Sequence, residues 1–204
     1  MKKTLLASCF LLASAVLPAM AADDIVTQPG FDWSGAYVGV DGGYSWFEGA
    51  DSFGGQADFD GFLGGLHVGY NVMFDNILLG AEVDGAITNA DVTSVFNIET
   101  SANWLTSARI RAGFAADRVL FYATGGVSAG GLELTNIGPG ITDKNTHVGW
   151  VIGAGVEAFV TDTISARLEY QHHEFGKETY NIGGANFEVD GNVDLIKFGV
   201  SYHF

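Results

Sequence analysis

Two sets of residues in this chain have side chains able to do chemistry. The first is a series of charged residues at alternating positions: Asp41, then Glu82 and Asp84, Arg109 and Arg111, Glu157, Arg167 and Glu169, and Lys197. A spacing of two puts both members of a pair on one face of a strand. Five acids beside four bases then form either a paired ionic network or the lining of a selectivity filter. The second set is the histidines. His172-His173-Glu174 has the donors of a metal or haem site, and Ser201 with His203 has the groups of a hydrolase. Both readings weaken on inspection. Adjacent strand residues point to opposite faces, so His172 and His173 cannot hold one ion from a regular strand. Ser201 and His203 share a face, but at the end of the chain's last strand. His67, His147 and His203 fall on the charged face, where a hydrogen-bonded filler role is expected. No catalytic residue, metal ligand or cofactor is assigned.

The elements that carry these residues are strands. On the other face of the same segments, alternate positions are apolar or small. Ala36, Val38, Val40, Gly42, Tyr44 and Trp46 share one face of the first strand. Phe62 to Phe74, Ile77 to Ile87, Trp104 to Phe114, Val119 to Ala129, Val148 to Val160, Ile164 to Tyr170 and Ile196 to Phe204 repeat the pattern. None of these outward positions carries a charge. A soluble sandwich also alternates, but it spreads its charges over the watered face. Here the charged face is nearly balanced and rich in Gly, which suits a narrow interior where ions must be paired. Arg109 and Arg111 are expected to pair with Glu82 and Asp84 on the neighbouring strand.

Asp75-Asn76, Ala116-Asp117-Arg118 and Thr161-Asp162-Thr163 read as tight hairpin turns. The spacing is 42 residues from Trp33 to Asp75, from Asp75 to Asp117 and from Asp162 to Phe204, and 45 from Asp117 to Asp162. Each unit holds two alternating segments, so the four units make eight strands. Longer connections at residues 47–60, 89–103, 130–146 and 171–193 lie at the opposite end. The expected fold is all-β: an eight-stranded antiparallel transmembrane barrel with short periplasmic turns and longer external loops. Closure follows because an open sheet would leave unsatisfied edges in lipid. Trp46, Phe62, Trp104, Trp150 and Tyr170 then form an outer aromatic girdle, and Phe74, Phe114, Phe121 and Phe204 an inner one.

The chain has 204 residues, Lys+Arg 9 against Asp+Glu 24, a formal charge of −15, and mean hydropathy +0.21. So acidic a protein is a poor partner for nucleic acid. Lys2 and Lys3, an apolar stretch from Leu5 to Leu17, and Ala19-Met20-Ala21 compose a signal peptide, with Ala19 and Ala21 flanking the cleavage position. The apolar stretch is too short for a spanning helix, which needs roughly 20 residues. The expected organisation is residues 1–21 signal peptide, 22–32 a periplasmic N-terminal segment and 33–204 the barrel. Cleavage would remove Cys9, the only cysteine, leaving no disulfide or thiolate metal site.

Four short runs carry a family likeness: Trp33-Ser-Gly35-Ala-Tyr37-Val-Gly39, Tyr122-Ala-Thr-Gly-Gly126-Val, Gly149-Trp-Val-Ile-Gly-Ala-Gly-Val-Glu157 and Val200-Ser-Tyr-His-Phe204. Together they resemble the small porin-like outer-membrane surface-antigen family, relatives of the opacity proteins and of the OmpA transmembrane domain. The resemblance implies a Gram-negative outer-membrane location and a structural and surface-interaction role in envelope integrity and contact with host or environment. The alternatives are a low-conductance porin for small solutes and a haem- or ligand-binding surface receptor. Partners implied are outer-membrane lipids, a host or surface ligand at the external loops, and the barrel-insertion machinery. The last would read the stripe Phe198, Val200, Tyr202 and Phe204 as an assembly signal.

Overall fold

Antiparallel pairing of each strand with the next builds a ladder whose last strand meets its first. The computed structural model describes residues 31–51, 56–93, 98–136, 141–182 and 185–204, with side chains at 31–46, 60–88, 103–131, 146–176 and 191–204. The strands are β1 (Gly35–Asp51), β2 (Gln56–Phe74), β3 (Ile77–Thr93), β4 (Ile98–Ala116), β5 (Val119–Asn136), β6 (Ile141–Phe159), β7 (Ile164–Ile182) and β8 (Ala185–His203). β1 also pairs with β8, which closes the barrel. The signal peptide, its Ala19 and Ala21, and most of the N-terminal segment lie outside the described residues.

Register fixes the shape. Partners followed from Val38 through Val68, Val83, Ala108, Val127, Trp150, Glu174 and Asn192 return to β1 at Glu48, ten residues further along. With ~3.4 Å per residue and ~4.8 Å between strands, that stagger tilts eight strands by about 40° to the barrel axis. The outward run from Phe62 to Phe74 is then roughly 31 Å tall, enough to cross an apolar band of about 25 Å and set a ring at each interface. The outward side chains are those expected: Phe62, Leu66, Ile87, Ile110, Val148 and Phe204 are among the most exposed large apolar residues.

The turns behave as their residues dictate. Asp75 and Asp117 each take φ 54° at the first position of a two-residue turn, a conformation Asp tolerates better than most residues. In the third, Thr161 Oγ1 accepts from the Thr163 and Ile164 amides at 3.3 and 3.0 Å. At the other end the connections differ from the sequence reading. Strands continue through most of the segments assigned to loops, leaving only residues 52–55, 94–97, 137–140 and 183–184 outside the described backbone. Charged and polar residues interrupt the apolar alternation in these segments, as at Glu48, Asp51, Asp91 and Glu99, while the backbone pairing persists. Register shifts at Ile87/Ala90, Ala102/Trp104 and Phe175/Glu178 fall where strands pass the outer girdle, the expected place for bulges.

The lumen is filled in layers. Trp33, Leu78, Ala115, Leu120, Tyr122 and Phe159, with Phe31 and Met73 against them, close the periplasmic end. Leu63, Val193 and Leu195, with Ala86, Leu105 and Phe175, form a second apolar layer toward the outside. The charged residues lie between.

Candidate functional site

The central layer is made by inward positions of all eight strands, and every charge in it is buried. Arg109 on β4 donates from one guanidinium nitrogen to Glu82 and from another to Glu169, and also lies 3.3 Å from Asp84. Arg167 on β7 donates to Glu82 at 2.6 Å and to both oxygens of Asp41 at 3.0 Å. Lys197 on β8 donates to Asp84 at 3.0 Å. Arg111 donates to Glu157 and, at 3.2 Å, to the Tyr37 hydroxyl; its guanidinium lies 3.8 Å over the Tyr122 ring.

Arg111 departs from the expectation. It faces Gly80 across the β3–β4 ladder, not an acid, and its nearest approach to Glu82 is 4.0 Å. Without a partner beside it, the long side chain crosses the lumen to Glu157. The same crossing breaks two register pairs: Glu157 is opposite Arg167 and Glu169 is opposite Lys197, yet each of these four charges bonds elsewhere. Two tyrosines and two histidines complete the layer. Tyr37 donates to Glu82 at 2.8 Å and Tyr122 to Glu169 at 3.0 Å. His67 bridges Asp41 and Ser201, both at 2.8 Å, and His203 meets Ser165 at 3.0 Å.

Buried ions in such a layer are stable only when every charge is paired and hydrogen-bonded, since desolvation otherwise outweighs attraction. Each charge here has an ionic partner, and the guanidinium groups each serve two carboxylates or a carboxylate and a phenol, with only the Nε atoms of Arg109 and Arg111 left without a hydrogen-bond partner. Its chemistry is that of a plug. Ser201 is engaged not by His203 but by His67, whose other ring nitrogen meets Asp41; this carboxylate–imidazole–hydroxyl relay is buried within the plug.

The model of the outer membrane protein beta-barrel domain family matches residues 9–204. The chain belongs to that family. It is similar to the 25 kDa outer-membrane immunogenic protein of Brucella abortus biovar 1 (strain 9-941), 31% identical over 98% of this chain and 99% of the relative. The 22 kDa outer membrane protein of Rhizobium leguminosarum bv. viciae is 30% identical over 90% of this chain and 83% of its own length. Among solved structures, Neisserial surface protein A aligns with a TM-score of 0.56 at 18% identity, covering 84% of this chain and 98% of that one. Ail, the attachment invasion locus protein of Yersinia pestis, aligns at 0.51 and 16%, covering 83% and 99%. These likenesses share the barrel fold. The protein is thus an outer-membrane β-barrel of the surface-antigen type, as the sequence motifs imply.

Within this outer-membrane barrel the remaining histidines are separated by the wall. His173 is buried in the lumen, whereas His172 faces outward, with its Nδ1 2.8 Å from Asp194 and its ring beside Trp150. Among the described residues no group of three His, Cys, Asp or Glu is disposed to hold a metal ion. The sequence reading passed over Tyr37 and Tyr122 as network members, although both occupy inward positions by the period of two. It also began the barrel at Trp33. That side chain is wholly buried in the periplasmic plug, its indole donating to the Asp117 carbonyl at 3.1 Å, and the strand starts at Gly35. Residues preceding a strand have no periodicity to reveal which way they fold back.

Proposed function

We propose that this barrel is a structural and surface-interaction protein of the cell envelope, working through its wall and external hairpins and not through its lumen. The observation that carries this reading is the filling of the lumen: an apolar layer at each end with a buried, paired ionic layer between them. Eight strands enclose a space just wide enough for side chains. A low-conductance porin would need a continuous watered path, and a haem receptor would need His172 and His173 on one side of the wall. Asp41, His67 and Ser201 do line up as carboxylate, imidazole and hydroxyl, but all three are buried among the lumen side chains, which disfavours access of a substrate to the hydroxyl.

Surface partners would meet the extended hairpins. Those segments carry Glu48, Asp51, Asp58, Asp91, Glu99, Glu133, Asp143, Glu178, Glu188 and Asp190 against Lys144 and Lys177. Ail is solved with a heparin analogue, sucrose octasulfate. The acidic hairpins here favour a basic or cation-bridged host or surface ligand instead. The test is complementation of a strain lacking the protein. Detergent resistance and retention of periplasmic protein should be restored equally by the wild type and by Ser201→Ala and His172→Ala variants that insert normally. Restoration by the wild type alone would return the catalytic or ligand-dependent readings.

The barrel-insertion machinery is the other proposed partner. In the closed barrel the Phe204 amide donates to the Ala36 carbonyl at 3.0 Å, while the residue as a whole is 78% exposed. Its ring also meets Tyr202 edge-on at 5.1 Å, and the stripe Phe198, Val200, Tyr202 and Phe204 on an unpaired β8 is suited to recognition by strand addition before closure. Deleting Phe204 should therefore cause periplasmic accumulation of unfolded chain while lowering the stability of the refolded barrel by only about 1 kcal/mol. Normal insertion kinetics, measured by the appearance of the heat-modifiable form, would contradict the signal reading.

A further inference from the structure

Glycines on the two faces of the wall have different reasons to be there. Facing inward, a Cβ at Gly65 would lie 2.6 Å from the Gly85 carbonyl oxygen, and one at Gly69 would lie 2.3 Å from the Tyr37 ring, so packing inside the barrel demands glycine. Facing outward, a Cβ at Gly64 or at Gly85 would meet nothing nearer than 4.0 Å. Nothing within the protein requires glycine at these two sites, where it weakens a strand. Together they floor a groove of about 510 Å³ across β2, β3 and β4, walled by Leu66, Ile87 and Trp104. The walls are part of the lipid-facing surface: Leu66 is 64% exposed and Ile87 74%. Thr106, also on the rim, donates its hydroxyl to the Asp84 carbonyl at 2.7 Å, so it offers the groove no unpaired donor.

We propose that this groove holds one acyl chain of an outer-leaflet membrane lipid in a fixed position. Its depth fits: Phe62 and Trp104 of the outer girdle stand two residues outward of Gly64 and Thr106, so the groove begins directly beneath the headgroup level. It is continuous with the wall already assigned to lipid. Its chemistry fits as well, being apolar and free of charge. A second copy of the barrel is a poorer occupant, because two convex walls touch along a line and leave a narrow concavity unfilled. A flexible polymethylene chain fills it, and the missing Cβ atoms at Gly64 and Gly85 give that chain van der Waals contact with backbone.

The experiment uses the full barrel in lipid-free detergent with Trp46 and Trp150 replaced by Phe, leaving Trp104 on the groove and Trp33 in the plug. Titration with phosphatidylcholine carrying dibrominated acyl chains should quench Trp104 saturably, with one lipid per barrel. Gly64→Leu and Gly85→Leu, separately, should weaken that binding roughly tenfold, the equivalent of about two methylenes withdrawn from contact. Gly125→Leu, the same change at an outward glycine outside the groove, should leave it intact. Heat-modifiable migration of each variant shows that it is folded, and a variant that fails this check is replaced by Gly85→Val. Non-saturable quenching, equal in all variants, would overturn the proposal. So would a Gly85→Leu variant that turns a dimer into a monomer with lipid quenching unchanged, since the groove would then be an interface between copies.

Discussion

Arg109→Ala is expected to lower the unfolding free energy of the barrel by about 3–5 kcal/mol, the usual consequence of removing one partner from a buried ionic group. The guanidinium serves Glu82 and Glu169 and approaches Asp84, and all four side chains are buried. Truncation leaves Glu82 and Glu169 without the cation between them; Arg167 is already shared between Glu82 and Asp41, and Lys197 is bonded to Asp84. A surface ion pair gives the contrast. Arg118 and Asp162 lie 2.6 Å apart at the periplasmic turns with their side chains 46% and 81% exposed, so Arg118→Ala should cost under about 1 kcal/mol. Urea titration of the refolded barrel in detergent, followed by tryptophan fluorescence, measures both. An Arg109→Ala effect as small as that of Arg118→Ala would mean that water reaches the central layer.

One residue along the same strand the logic reverses. Ile110→Arg should destabilise the inserted barrel by roughly 2–4 kcal/mol, because the side chain points at the hydrocarbon and not into the network. Ile110 is 70% exposed on the outward face, between Trp104 at the outer girdle and Phe114 at the inner one, close to mid-membrane. The cost should shrink for outward positions near either girdle, where an arginine reaches the headgroups. Folding into phospholipid vesicles under urea reads the difference directly. A cost that did not vary with depth would place the membrane elsewhere on the wall.

These two neighbours show why much of the architecture was legible in the sequence. A period of two separates Arg109 and Arg111 from Ile110, and lipid forbids charge on one side so strictly that the pattern stands out strand by strand. Tight turns at Asp75, Asp117 and Asp162 supplied the strand count. The pairing inside the lumen was less legible. Cross-strand neighbours are the natural first guess, and Glu82 with Arg109 obeys it. Arg111, Glu157, Arg167, Glu169 and Lys197 do not, because in so narrow a barrel a long side chain reaches the far wall as easily as the next strand. Which partner it finds depends on the ten-residue stagger, a property of all eight strands together. The plug formed by Phe31 and Trp33 was hidden for a different reason: it precedes the first strand and has no repeat to announce it. The hairpin extensions were hidden because charged and polar residues interrupt the alternation there.

A filled lumen with paired ions should carry no solute. Planar-bilayer recording of the purified, heat-modifiable protein tests this most directly. The membrane should stay at its baseline conductance as protein inserts, with insertion verified by protease protection of the same preparation. Regular, ohmic single-channel steps from the wild-type protein would contradict it.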